Sequence, residues 1–193
     1  MLLVLGAIVT PGRRTIAAVL RTMRPLARGH FSSYHRVLSG ARWSLWVAGR
    51  ALAHAVLAHG PEGQPVVPAV DDTAARHRGP EVYGRGCHRD PTRSSHGNTV
   101  RCWGHRRVVM AVMARFPFAS RPWALPVLAA WFRNRALCER QGRRFKSRPQ
   151  IARQLLAVMI HWSPRRRFIL LGGGGFATHE LAWFCHRRHV TFG

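Results

Sequence analysis

The sequence predicts an α/β (α+β) chain, with helices over residues 1–60 and strands joined by helices over 61–193. Three observations carry this. Apolar residues recur at helical spacing up to Gly60. A turn-rich stretch, Pro61-Glu62-Gly63-Gln64-Pro65, then interrupts the pattern. Short β-branched runs follow, alternating near the end with two amphipathic segments.

Within the helical region, Thr10 reads as an N-cap with Pro11 at the first helical position, and Ile16, Ala17, Leu20 and Met23 share a stripe. A second short helix is expected from Ser32 or Ser33 to Gly40. A third runs from Ser44, with Leu45, Ala48, Leu52, Ala55 and Val56 on one side, and stops at Gly60-Pro61. Such helices suit either a cap over the following domain or a helix-turn-helix-like DNA reader, and the cap is the reading preferred here.

The strand region starts with 64–70, an apolar run closed by Asp71-Asp72. Segments 99–103 and 107–113 read as two further strands joined by a turn at Gly104-His105, and 123–128 as a strand whose Pro126 favours an edge. A helix over 149–162, a buried strand over 167–171, a helix over 177–187 and a final strand from 189 complete the pattern. Strands, then helix, strand, helix, strand is the order of an RNase H-like domain, incomplete at its end.

Composition narrows the function. The 193 residues carry 31 basic and seven acidic side chains, a formal charge of +24. Such a chain repels itself unless an anion neutralises it, and nucleic acid is the commonest such partner. Lys146 is the only Lys, so the excess is Arg, which suits phosphate forks but also follows from GC-rich codons. The four cysteines form no framework. The apolar opening, 2–9, lacks a basic segment before it, and no run reaches the roughly 20 apolar residues of a membrane span. The expectation is a cytoplasmic protein with no membrane partner and no small-molecule substrate.

With so few carboxylates, Asp71 and Asp72 side by side at an expected strand tip read as a catalytic position where a nuclease fold holds a divalent metal. The strand over 167–171 ends instead in Gly172-Gly173-Gly174-Gly175, with no acid. Read with Ala177, these glycines formally match a dinucleotide fingerprint, but no acidic residue follows at the required distance. Cys87, His88, Cys102 and His105 lack the C-x₂₋₄-C pairing of structural zinc sites. Two basic clusters, Arg143-Arg144 with Lys146 and Arg148, and Arg165-Arg166-Arg167, flank the helix over 149–162 and suggest a phosphate-tracking groove.

The chain resembles the transposases of bacterial insertion sequences that form the DDE superfamily endonucleases. The resemblance rests on residues 4–15, on His30-Phe31-Ser32-Ser33-Tyr34-His35-Arg36-Val37-Leu38 and on Arg42-Trp43-Ser44. It continues through Tyr83-Gly84-Arg85-Gly86, residues 89–97 with Arg93 among them, and 123–127. Residues 142–147, 152–156 and Phe176-Ala177-Thr178-His179-Glu180-Leu181 complete it. These segments lie in family order and span nearly the whole sequence.

The resemblance implies an RNase H-like fold and metal-dependent cleavage and joining of DNA, with Mg²⁺ held by three carboxylates. It places the first catalytic acid, a metal ligand, at Asp71, with Asp72 as its acidic neighbour and Thr73 capping the turn. The second acid falls on Gly173, and the third beyond residue 193. With Arg93, the two basic clusters, Arg143, Arg144, Lys146 and Arg148 and Arg165, Arg166 and Arg167, are the expected DNA contacts; the resemblance implies transposon ends as the partner, with self-association possible. The expectation is a truncated, degenerate copy that has lost catalysis and does not bind Mg²⁺ productively. A non-catalytic DNA-binding remnant and an unfolded product of a decaying gene are the alternatives.

Overall fold

The structure is a computed structural model that describes residues 2–42, 44–60, 63–77, 79, 81–90 and 92–193. Pro61 and Glu62 of the expected linker, and Trp43 and Pro91 of the resembling segments, lie outside them. The chain divides into two compact units, 1–44 and 45–193.

The first unit holds α1 (Leu2–Val9), α2 (Ile16–Thr22) and α3 (Phe31–Ser39). Thr10 does not cap a following helix as expected. Its hydroxyl donates to the carbonyl of Gly6, and Thr15 takes the capping role by accepting from the N–H of Ala18. Gly6 has a packing reason: a Cβ there would stand 2.5 Å from Val19 and 2.7 Å from Met23, so α1 and α2 cross closely only without one.

Among the described residues the second unit is a six-stranded mixed sheet with four α-helices. It opens with α4 (Leu45–Ala58), followed by β1 (Pro68–Arg76), β2 (Gly86–Arg89), β3 (Arg101–Ala114) and β4 (Trp123–Phe132). Then come α5 (Arg135–Arg140), α6 (Arg148–Trp162), β5 (Ile169–Gly172), a 3₁₀ turn (Gly174–Phe176), α7 (His179–Arg187) and β6 (Thr191–Phe192). β3 pairs antiparallel with β1 on one edge, and with β2 and β4 along the other. β5 lies parallel to β1, and β6 parallel to β5. Antiparallel strands, a helix, then a strand returning parallel beside the first give the RNase H-like arrangement expected from the sequence.

β2 and α5 have no counterpart in the sequence reading, and three further points differ. The two strands expected at 99–103 and 107–113 are one continuous β3. Gly104 is not a turn residue: a Cβ there would stand 2.1 Å from the carbonyl oxygen of Ala75, so its role is to let β1 approach. The first strand starts later than expected and runs past the acidic pair to Arg76, which places Asp71, Asp72 and Thr73 mid-strand, Thr73 opposite Arg107. Finally α4, read as part of the helical region, packs with the sheet. Its Ala53 and Val56 are buried in the core, and a Cβ on Gly49 would meet the Val127 carbonyl oxygen at 2.7 Å. α4 thus closes over β4, which among the described residues pairs with no strand besides β3.

Pro126 sits on this edge strand, where a missing N–H is tolerated, and the β3–β4 register shifts between Met110 and Ala111 to accommodate it. The core is formed by Val70, Val108, Met110, Val112 and Leu170 of the sheet, with Leu155, Leu156 and Met159 of α6 and Leu181 and Cys185 of α7. α6 starts on a capping box, Ser147 with Gln150, with Pro149 in its first turn. Burial pushes the Cys185 thiol up to about 11, so it stays protonated and serves as packing.

Candidate functional site

The site lies where β1 and β5 run side by side. Val70 is level with Gly172, so Asp71 and Gly173, one step further along each strand, are neighbours. The sequence reading needed this juxtaposition, and residues about a hundred apart in the chain make it.

Successive strand residues face opposite sides, so the two acids have different surroundings. Asp71 is exposed, and its Oδ1 accepts the backbone N–H of Asp72 at 2.7 Å. Asp72 turns inward, its side chain only 9% exposed. Its Oδ2 is held by Nε of Arg106 on β3, and its Oδ1 by Nη1 of Arg148 at 2.9 Å. Arg148 opens α6, so this carboxylate ties two strands to the start of a helix. Both of its oxygens face guanidinium groups, the complement that best satisfies a buried carboxylate.

Gly173 is extended (φ −66°, ψ 164°), and a Cβ there would meet nothing within 4 Å. Gly172 differs: a Cβ would press on Val70 and Phe176 at 3.3 Å. A side chain is therefore crowded at 172, whereas position 173 has room for a longer one.

These residues do not fit a two-ion site. Asp72 has no free oxygen, Gly173 offers no ligand, and Asp71 alone supplies one carboxylate. Mg²⁺ sheds water reluctantly and needs near-octahedral oxygen geometry. Among the described residues no group of three or more His, Cys, Asp or Glu side chains is placed to hold a metal. His88 is buried, and burial first, then the nearby Arg106, lowers its pKa from the ordinary 6.5.

The basic residues fall into separate places. Arg143, Arg144 and Lys146 are exposed ahead of α6, and Arg148 is committed to Asp72. Arg165, Arg166 and Arg167 follow the other end of the helix, about 22 Å away at 1.5 Å per residue. There Arg166 donates to the carbonyl of Gln64, ahead of β1. The two clusters therefore stand at opposite ends of α6, and only the first adjoins the acidic pair. Arg93 is exposed in the loop after β2. Sequence reasoning missed Arg106, because nothing local distinguishes it from the other arginines: its partner is 34 residues away.

The strand order and the neighbouring Asp71 and 173 positions define an RNase H-like nuclease fold. A family model described as DDE superfamily endonuclease matches residues 1–192, and the chain belongs to that family. The family acts on DNA and typically uses divalent metals. No curated protein and no solved structure matches the chain. No helix among the described residues is long and apolar enough to cross a membrane.

Proposed function

We propose that this chain is an insertion-sequence transposase relative that binds DNA without cutting it. One observation carries the proposal: the Asp72 carboxylate is consumed by Arg106 and Arg148, leaving Asp71 without a second acid beside it. Phosphoryl transfer by two ions needs carboxylates on neighbouring strands to hold both at once. Here the neighbour is Gly173.

Binding is supported by the charge of +24 and by Arg143, Arg144 and Lys146, exposed on the side of α6 that carries the acidic pair. Contacts of this kind track phosphates and carry no sequence information. Such a product would occupy the ends that an active relative cuts and so oppose it.

The test is incubation of the purified chain with supercoiled plasmid and Mg²⁺ or Mn²⁺, alongside a binding isotherm. The expected result is saturable binding with no nicking. Metal-dependent nicking that disappears in Asp71→Ala would overturn the non-catalytic reading, and absence of binding at low salt would overturn the DNA reading.

A further inference from the structure

A cleft of about 930 Å³ opens between α4, β4 and the segment leading into α6, and neither Asp71 nor Asp72 lines it. Its volume lies within the range of small-molecule sites, about 300–1,000 Å³. Its lining is mainly apolar and includes Leu52 of α4, Leu128 of β4 and Trp46, which is about half exposed. Five cations line it: Arg107, Arg133, Arg143, Arg144 and Lys146, with no carboxylate among the lining residues.

In a chain with seven acids, four ion pairs join described residues, and none involves these five cations. Lys146 is instead held toward the cleft by Gln154, whose Oε1 accepts from its ammonium at 3.3 Å. Arg133 gives a second, independent indication. Its Nε is buried and has no hydrogen-bond partner, although its guanidinium lies over the Trp131 ring at 5.7 Å. A buried donor left unmade is expensive, so Arg133 is the one lining cation whose own hydrogen bonding is incomplete among the described residues.

We infer that this cleft is a nucleoside-phosphate site, its arginine forks and Lys146 holding the phosphate and its apolar wall with Trp46 receiving the base. An aliphatic anion would leave the indole without a stacking partner. A carboxylate peptide would match the charge but bring no base for the indole to stack on. Arg forks match phosphate oxygens in pairs, and every base has a face for an aromatic ring. The nucleotide comes either free or as the unpaired end of a DNA strand. The second source rests on the DNA-binding reading above, whereas the first does not.

Two probes separate them: dAMP followed by calorimetry, and fluorescein-labelled duplexes followed by anisotropy, one blunt and one with a single unpaired terminal nucleotide. The expected result is saturable dAMP binding and about tenfold tighter binding of the overhung duplex than of the blunt one. In Trp46→Ala and Arg133→Gln the dAMP signal should vanish and the ratio of duplex affinities fall to about one, while Trp46→Phe keeps both. Melting curves verify that the variants fold.

Binding of dAMP with no overhang preference supports the site with a free nucleotide as its occupant. Overhang preference without dAMP binding supports the strand end. Binding of dAMP by a chain that binds no duplex would sink the proposed function and leave this site standing. Neither signal in the wild-type chain, or displacement of dAMP by a glutamate-rich peptide at equal concentration, overturns the inference.

Discussion

At the scale of single residues, the acidic pair separates into two roles that its sequence does not distinguish. Asp71 is exposed and makes only a local backbone contact, so Asp71→Ala should change stability by less than about 0.5 kcal/mol. Asp72 compensates Arg106, itself 10% exposed in its side chain. Asp72→Ala strands that buried cation and should destabilise by about 3–5 kcal/mol, read in a urea melt. Equal effects of the two substitutions would refute the arrangement. Position 173 makes the opposite prediction. Gly173→Asp meets no atom within 4 Å and should fold with a melting temperature near that of the parent. It places a second carboxylate beside Asp71, so Mn²⁺ binding by calorimetry should appear in Gly173→Asp and be lost again on adding Asp71→Ala.

At the scale of elements, β3 determines how the sheet assembles. Gly104 lets β1 approach within a distance that no other residue permits, so Gly104→Ala should destabilise by about 1–3 kcal/mol, more than the same change at open Gly173. On the helical side, Leu155 is 1% exposed under the sheet, and Leu155→Ala should cost about 2–5 kcal/mol. His88, on β2, adds a pH dependence. Its pKa is lowered in the folded state, so the unfolded chain binds the proton more readily. Its contribution is complete above the ordinary value of 6.5 and is lost as pH falls below it toward the folded value. Thermal melts should show stability declining below about pH 6.5, with a shallower decline in His88→Gln.

At the scale of the whole molecule, charge dominates. With +24 against DNA, affinity should fall steeply with salt, the slope of log K against log salt being about −0.9 per phosphate contacted. Removing Arg143, Arg144 and Lys146 together should lower that slope by about three, if each contacts one phosphate. Removing Arg165, Arg166 and Arg167, at the far end of α6, tests whether a single duplex spans the helix. An unchanged slope would confine DNA to the end beside Asp71 and Gly173.

What the residues alone determined is local or bulk. α6 was legible because its capping box, Pro149 and inward stripe all lie within one short window, and β5 and α7 because their patterns are equally self-contained. The basic character, and family membership through segments in order, also needed only the linear chain. The continuity of β3 was not legible, since a glycine that admits a neighbouring strand looks the same in sequence as one that makes a turn. Nor was the tie of Asp72 to Arg106 and Arg148, which lie 34 and 76 residues away, nor the cleft that gathers five cations from β3, the residue after β4 and the approach to α6. Tertiary structure decided these, because a carboxylate's chemistry depends on which charges surround it once water is excluded, and folding alone assembles those surroundings.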